Sequence, residues 1–278
     1  ALHSLGVVLE NIILTLNHFS MKVDYSIADE LSFSKAIVNV QWHESKEVSG
    51  DSLYLQIPLR RTARDAYVNE LIDPQVLNEL STVCQPQCEL KFLTEKKAIN
   101  SIRSLVTEAT LHQFEDKEVA GELYEWLRFS RRRKEWFRDG LNAECMAWSG
   151  FDTFMSKVLL KPKVLSVLSK IKLNSILFGN NKLHSPFAPV ISLLVLKNHS
   201  IQNRVEAGRS LQRIWLKASE QGLVTHPISA AVDVEHTRGL VKDLFEVNRE
   251  TPHVILFRLG RTKKITRSHR LPVDFLLK

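Results

Sequence analysis

Two groups of side chains in this sequence could do chemistry, and both are suited to holding an anion. Arg60, Arg61, Thr62 and Arg64, in R-R-T-A-R, form a compact set of donors. Guanidinium forks and a hydroxyl match the oxygens of a phosphate group. The apolar run Val254 to Phe257 leads into Arg258, Arg261, Lys263, Lys264, Arg267 and Arg270, a second concentration of cations. Spacing alone also allows a plain basic turn before a helix at the first group. Groups that would themselves react do not assemble. The ten histidines show no H-E-x-x-H pattern and no paired spacing for a metal. There is no G-x-S-x-G elbow, no G-x-x-x-x-G-K-[ST] loop and no G-x-G-x-x-G fingerprint, and no carboxylate pair stands out from the surface background. Hydrolase and nucleoside-triphosphate chemistry therefore lose ground. A cofactor that brings its own chemistry, held by cations and backbone amides, fits better.

The elements that must position these residues follow from periodicity. In the stretch from Arg204, Val205, Leu211, Ile214, Trp215 and Ala218 recur at three- and four-residue steps, which predicts a helix with one buried face. Gly208 lies inside it, where glycine is costly, so a backbone neighbour or ligand is expected to approach there. Gln221-Gly222 ends the helix, with Gly222 free to take the left-handed conformation. Leu2 to Leu16 is a second apolar helix, followed by an extended Met21 to Ile27. A shift of 202 positions (208 − 6) lays Gly6 on Gly208, Leu9 on Leu211, Ile12 on Ile214 and Leu14 on Leu216. Each helix leads to an extended connection and then a strand, Ala36 to Trp42 in one case and Val254 to Leu259 in the other. The pattern reads as a degenerate repeat with a truncated first copy. The polar segment His43 to Ser52 marks the boundary.

Between the two copies, Asp73-Pro74 starts a short helix through Leu80, with aspartate at the cap and proline at the first helical position. Glu89 to Thr94 is a candidate strand, Lys96 to His112 an amphipathic helix, and Glu118 to Phe129 a further helix. Trp148, Phe151, Phe154, Met155 and Leu159 make an aromatic-rich stretch suited to a lid or to core. Phe178 to Pro189 reads as loop, Val190 to Lys197 as a strand buried on both faces, and Asp233 to Val247 as a helix.

Composition sets the class. The 278 residues are 44% apolar and 25% charged, ample for a soluble core, and no apolar run reaches membrane-spanning length. Cys84, Cys88 and Cys145 fit a reducing, cytoplasmic setting better than a disulfide framework. Helical patterning starts at once, without a basic n-region or an initiator methionine, which reads as part of a longer polypeptide. The formal charge of +7 and the run Arg128 to Arg138, interleaved with aromatics, raise a nucleic-acid alternative. No recognisable nucleic-acid module surrounds that run.

At R-R-T-A-R, at A-G-R-S-L-Q-R-I-W-L-K-A-S-E-Q-G-L-V-T-H-P-I-S, and at F-R-L-G followed by S-H-R-L-P, the chain resembles the nitroreductase-like flavoproteins, in particular those with two degenerate units fused in one polypeptide. The resemblance implies an α+β fold: a central, mainly antiparallel sheet flanked by helices, with a pseudo-twofold. Residues 1–52 would be the end of a truncated first unit. Residues 53–278 would be the second unit, with a lid-like insertion around 130–180. The implied cofactor is FMN. Arg60, Thr62 and Arg64 match the turn that grips its phosphate and ribityl chain, and Ser268 and Arg270 match a second basic grip. Pro227, Ile228 and Ser229 take the connection that passes the flavin ring, without the family's usual acidic-glycine pair. The implied partners are NAD(P)H and a small electron-poor acceptor, in a ping-pong hydride transfer. An N-terminal segment carrying the family's S-x-x-N-x-Q-P-W loop would complete the pocket. The alternative implied by the same departures is a flavin-storing or structural unit of a larger protein, such as a fusion with an adenylate-forming, ubiquitin-activating-like domain.

Overall fold

A computed structural model describes residues 2–32, 36–170, 187–251, 254–263, 268–269, 271 and 273–276. The elements in chain order are α1 (Leu2–His18), β1 (Met21–Ile27), β2 (Val38–Glu44), a 3-10 turn (Ser52–Gln56), α2 (Pro74–Thr82), β3 (Cys88–Leu93), α3 (Lys96–Glu115) and α4 (Lys117–Trp126). They continue with β4 (Leu127–Arg128), a second 3-10 turn (Lys134–Phe137), β5 (Leu141–Asn142), α5 (Gly150–Leu159), α6 (Pro162–Lys170), β6 (Val190–Leu196) and α7 (Ile201–Glu220). The last are β7 (Val224–Pro227), α8 (Ala230–Asp233), α9 (Glu235–Leu244), β8 (Val254–Gly260) and α10 (Val273–Leu276).

Four strands form one antiparallel sheet in the order β3-β6-β8-β7. Alternation of side chains across the strands gives it two buried faces. Val190, Leu194, Leu196, Phe257 and Leu259 meet α2 and the Ala207–Leu211–Ile214–Ala218 stripe of α7. Ile191, Leu193, Val195 and Leu256 meet Ile99, Ile102 and Val106 of α3 and Ala231 and Val241 of α8 and α9. All seven residues of β6 are buried, as its continuous apolar run predicts. The expected α+β class with helices on an antiparallel sheet is therefore the observed one. Several element ends differ from the sequence expectation. The helix expected to run to Phe129 stops at Trp126, because Leu127 turns extended to pair with Leu141. The helix expected from Asp233 is divided: α8 is a single turn, Val234 is extended, and α9 runs Glu235–Leu244. The expected loop Phe178 to Pro189 lies mostly outside the described residues.

α1 and β1–β2 lie against α7, and the two helices cross at their glycines. A Cβ on Gly6 would overlap the carbonyl oxygen of Val205, and a Cβ on Gly208 would overlap that of His3. These contacts are reciprocal, because the shift of 202 that carries Gly6 to Gly208 also carries His3 to Val205. Polar contacts obey the same exchange. Arg213 donates to Glu10 at 2.8 Å, and Gln212 donates to Asn11 at 2.7 Å; Glu10 is the counterpart of Gln212, and Asn11 of Arg213. Leu14 and its counterpart Leu216 share one cluster. Both helices end at equivalent positions, His18 and Glu220, and both exits are left-handed, at Ser20 (φ 60°) and Gly222 (φ 68°). Beyond them β1 pairs antiparallel with β2, as β7 does with β8.

Candidate functional site

A cavity of about 420 Å³ opens where α1, α7, the end of β7, α8, α9 and β8 converge. This is within the usual range for small-molecule sites, about 300–1,000 Å³. Leu211, Pro227, Val232, Ile255 and Leu256 give it an apolar wall, and His3, Arg204, Ser229, Asp233 and Arg238 give it polar groups. Pro227 is there because β7 runs antiparallel to β8, with Pro227 opposite Phe257 on the α7 face of the sheet. Ser229 follows at the turn into α8, where its carbonyl accepts from Val232 and Asp233 at 2.8 and 2.9 Å. Arg238 is held from α9 by the carbonyls of Val232 (2.7 Å) and Asp233 (3.1 Å). Arg204 stands in the first turn of α7, and its Nε is buried with no hydrogen-bond partner in the structure. Burial, with Arg204 nearby, lowers the pKa of His3 to about 4, so its ring is neutral near neutral pH.

The residues expected to hold FMN are distributed unequally around this cavity. Pro227 and Ser229 line it, whereas Ile228 does not. Ile228 is buried toward α3, and its N–H is taken by the Leu256 carbonyl at 2.9 Å. Thr62 forms an isolated parallel bridge with Thr225 on the far edge of β7, and Ala63 N–H donates to the Thr225 carbonyl at 3.1 Å. From that anchored backbone the two arginines address different surroundings. The Arg60 guanidinium sits over the Trp215 ring of α7, 4.9 Å from its centroid. The Arg64 guanidinium donates to the Cys145 carbonyl at 3.3 Å, and burial lowers its pKa. Ser268 is exposed; beside it the His269 ring meets Phe137 edge-on at 4.9 Å, which sets this part of the tail against the second 3-10 turn. Arg270 lies outside the described residues. None of Arg60, Thr62, Arg64 and Ser268 is among the residues lining the cavity.

The cations in and after β8 also part company. Arg258 is fully buried, directly opposite His226 across the β7–β8 pair. It donates to His226 Nδ1 at 3.2 Å and to the carbonyls of Ala63 and Arg64 at 3.3 and 3.2 Å, and it lies 4.8 Å from the centroid of the Tyr67 ring. Burial brings its pKa down to about 10. Accepting at Nδ1 fixes His226 as the neutral tautomer with its proton on Nε2, and burial beside Arg258 and Arg64 holds its pKa well below the usual value. Arg261 is exposed and pairs with Glu70 at 2.8 Å. In the run from Arg128, Arg128 pairs with Asp139 and Arg131 with Glu144. Among the described residues no group of three or more His, Cys, Asp or Glu side chains could hold a metal ion, and no helix is long and apolar enough to cross a membrane.

Reading the sequence for function missed His3, Arg204 and Arg238. Laying α1 on α7 would have singled out two of them. Under the shift of 202, Arg204 aligns with Leu2 and His3 with Val205, so each polar residue stands where the other copy is aliphatic.

No protein-family model matches the sequence, and no curated protein matches it. Solved structures are similar in fold over most of the chain. A BluB-like flavoprotein from Clostridium difficile is 12% identical with a TM-score of 0.49, covering 82% of this chain and 98% of its own. A nitroreductase with bound FMN from Bacteroides fragilis is 11% identical with a TM-score of 0.46, covering 80% of this chain and 96% of its own. The FMN-dependent nitroreductase NfnB from Mycobacterium smegmatis, in complex with NADPH, is 14% identical with a TM-score of 0.45, covering 79% of this chain and 94% of its own.

Proposed function

We propose that the chain is an FMN-dependent oxidoreductase of nitroreductase type, with the flavin ring in the cavity at Pro227 and Ser229. The observation that carries the reading is this cavity's composition. An apolar wall from Leu211, Pro227, Ile255 and Leu256 suits an aromatic ring system, and Arg204 and Arg238 supply positive charge at its polar side. The unsatisfied, buried Nε of Arg204 is a donor waiting for an acceptor, and such orphans are costly unless something fills the need. When bound, FMN supplies hydride transfer from NAD(P)H to an electron-poor acceptor. The chain's own residues then bind, orient and exclude water. Pro227 and Leu256 form the dry wall, and Ser229 offers a hydroxyl. His3, neutral near neutral pH, contributes polarity without charge. Arg60, Thr62, Arg64, Ser268 and Arg270 are the proposed phosphate grip. Three unpaired cysteines accord with work in a reducing, cytoplasmic compartment.

A second reading, a flavin-storing or structural unit, is favoured by one observation. Arg60 is engaged by Trp215 and Arg64 by the Cys145 carbonyl, so two of the cations assigned to the phosphate have other partners. Purified protein separates the two readings. Reconstitution with FMN followed by anaerobic NADH or NADPH is expected to bleach the flavin absorbance. Retained colour without bleaching supports storage, and failure to retain FMN removes both flavin readings and leaves the structural one. Arg60→Ala and Arg270→Ala are each expected to lower FMN occupancy; full occupancy in both would end the phosphate assignment.

A further inference from the structure

The exchange relation at the α1–α7 crossing reaches past the two helices and exposes an asymmetry. The shift of 202 relates the cavity residues His3, Arg204, Leu211, Pro227 and Ser229 to Val205, Leu2, Leu9, Tyr25 and Ile27. All five counterparts belong to one apolar cluster among α1, the start of α7 and the β1–β2 pair. The strand pairings extend the comparison. Val23 pairs with Trp42 and its counterpart Thr225 with Leu259, so β2 corresponds to β8 at an offset of 217 (259 − 42). That offset lays the cavity residue Ile255 on Val38, which is a member of the same cluster. One half of the fold therefore presents a cavity with two arginines, and the other places hydrocarbon at the equivalent positions, except that exposed Asn39 stands where the cavity has Leu256.

The substitutions account for the difference physically. Arg204 is replaced by leucine and His3 by valine, so the groups that would receive an anion are gone. Pro227 is replaced by Tyr25, which adds bulk, and the tyrosine hydroxyl is committed to Glu206 at 2.9 Å and to Arg209. The other wall of the cavity, Val232, Asp233 and Arg238, comes from the connection between β7 and β8. That connection is 15 residues longer than the one between β1 and β2 (217 − 202). Among its described residues the shorter connection has no counterpart for α9, and with it none for Arg238.

We propose that the chain retains one of two pseudo-equivalent ligand sites. The cavity at Arg204 and Arg238 binds a single ligand per chain that carries an anionic group on an apolar body, and the counterpart at Leu2 and Tyr25 binds none. This rests on the cavity assigned above, and not on its ligand being FMN.

Calorimetric titration of the full chain with FMN, with NADPH and with inorganic pyrophosphate tests it, alongside Arg204→Met, Arg238→Met and, on the counterpart side, Ile27→Val. At least one of the three ligands is expected to bind at one molar equivalent. Each arginine substitution is expected to weaken that binding about ten- to hundredfold, the range for losing a hydrogen bond to a charged group, while Ile27→Val leaves it unchanged. Circular dichroism checks folding, and the two arginines stand on different helices, so one unfolded variant does not end the test. Two equivalents overturn the inference. So does one equivalent that survives both arginine substitutions, or binding of none of the three ligands. Arginine-dependent binding of NADPH or pyrophosphate without FMN upholds it and overturns the flavin reading. FMN binding that ignores both arginines does the reverse.

Discussion

At the scale of single residues, Glu10 is the one on which the helix crossing most depends. Its side chain is fully buried, and it accepts from Arg209 and from Arg213, each at 2.8 Å. Arg209 also pairs with Glu206 and Arg213 with Asp51, each at 2.9 or 2.8 Å, so two acidic groups on other elements share the load. These partners raise the pKa of both arginines against the opposing effect of burial. Removing one member of a buried ionic set leaves the others desolvated without compensation, at a cost of about 3–5 kcal/mol. Glu10→Ala is expected to lose stability in that range in a denaturant titration. A loss below about 1 kcal/mol would mean that water replaces the carboxylate. Sequence patterning gave no hint of this set. Glu10 sits in a helix whose other buried residues are apolar or glycine, and its partners are almost 200 positions away along the chain.

At the scale of elements, the crossing of α1 and α7 is set by two glycines with no room for a methyl group. Overpacking a close contact costs about 1–3 kcal/mol when side chains can yield. Here the obstacle on each side is a helix carbonyl, so Gly6→Ala and Gly208→Ala are expected to lie at or above the top of that range. Gly121 provides the control. It is inside α4, and an added Cβ there would meet nothing within 4 Å. Gly121→Ala is expected to stabilise the protein by about 0.4–1 kcal/mol through the unfolded chain. Thermal melts of the three variants separate the cases, and a destabilising Gly121→Ala would show that a contact has been overlooked. The close approach at Gly208 was legible in the sequence, because a glycine inside a strongly periodic helix has little other reason to be there. Its partner, Gly6, was legible only by laying α1 on α7.

For the whole molecule, two half-buried histidines kept neutral by desolvation make stability depend on acid. His3 has a pKa of about 4 in the fold against 6.5 when unfolded, and that of His226 is also well below 6.5. Between these values the unfolded chain binds protons that the folded chain does not, so stability rises with pH across the interval. It is complete above about pH 6.5 and is progressively lost down to about pH 4. Melting temperature is expected to fall over this window, and His226→Gln is expected to flatten the slope. An unchanged slope in His226→Gln and in His3→Gln would assign the acid sensitivity elsewhere. The sequence by itself determined the elements whose signal is local: the β6 run, the capped start of α2 at Asp73, and the stripes of α3 and α7. Tertiary structure decided the rest, because a side chain's direction depends on what its backbone is bonded to. Thr62 is tied to β7, and from there Arg60 turns to Trp215 while Arg64 turns to Cys145, although the sequence groups them. Arg204 and Arg238 line one cavity although α7 packs on one face of the sheet and α9 on the other, and no spacing along the chain encodes that.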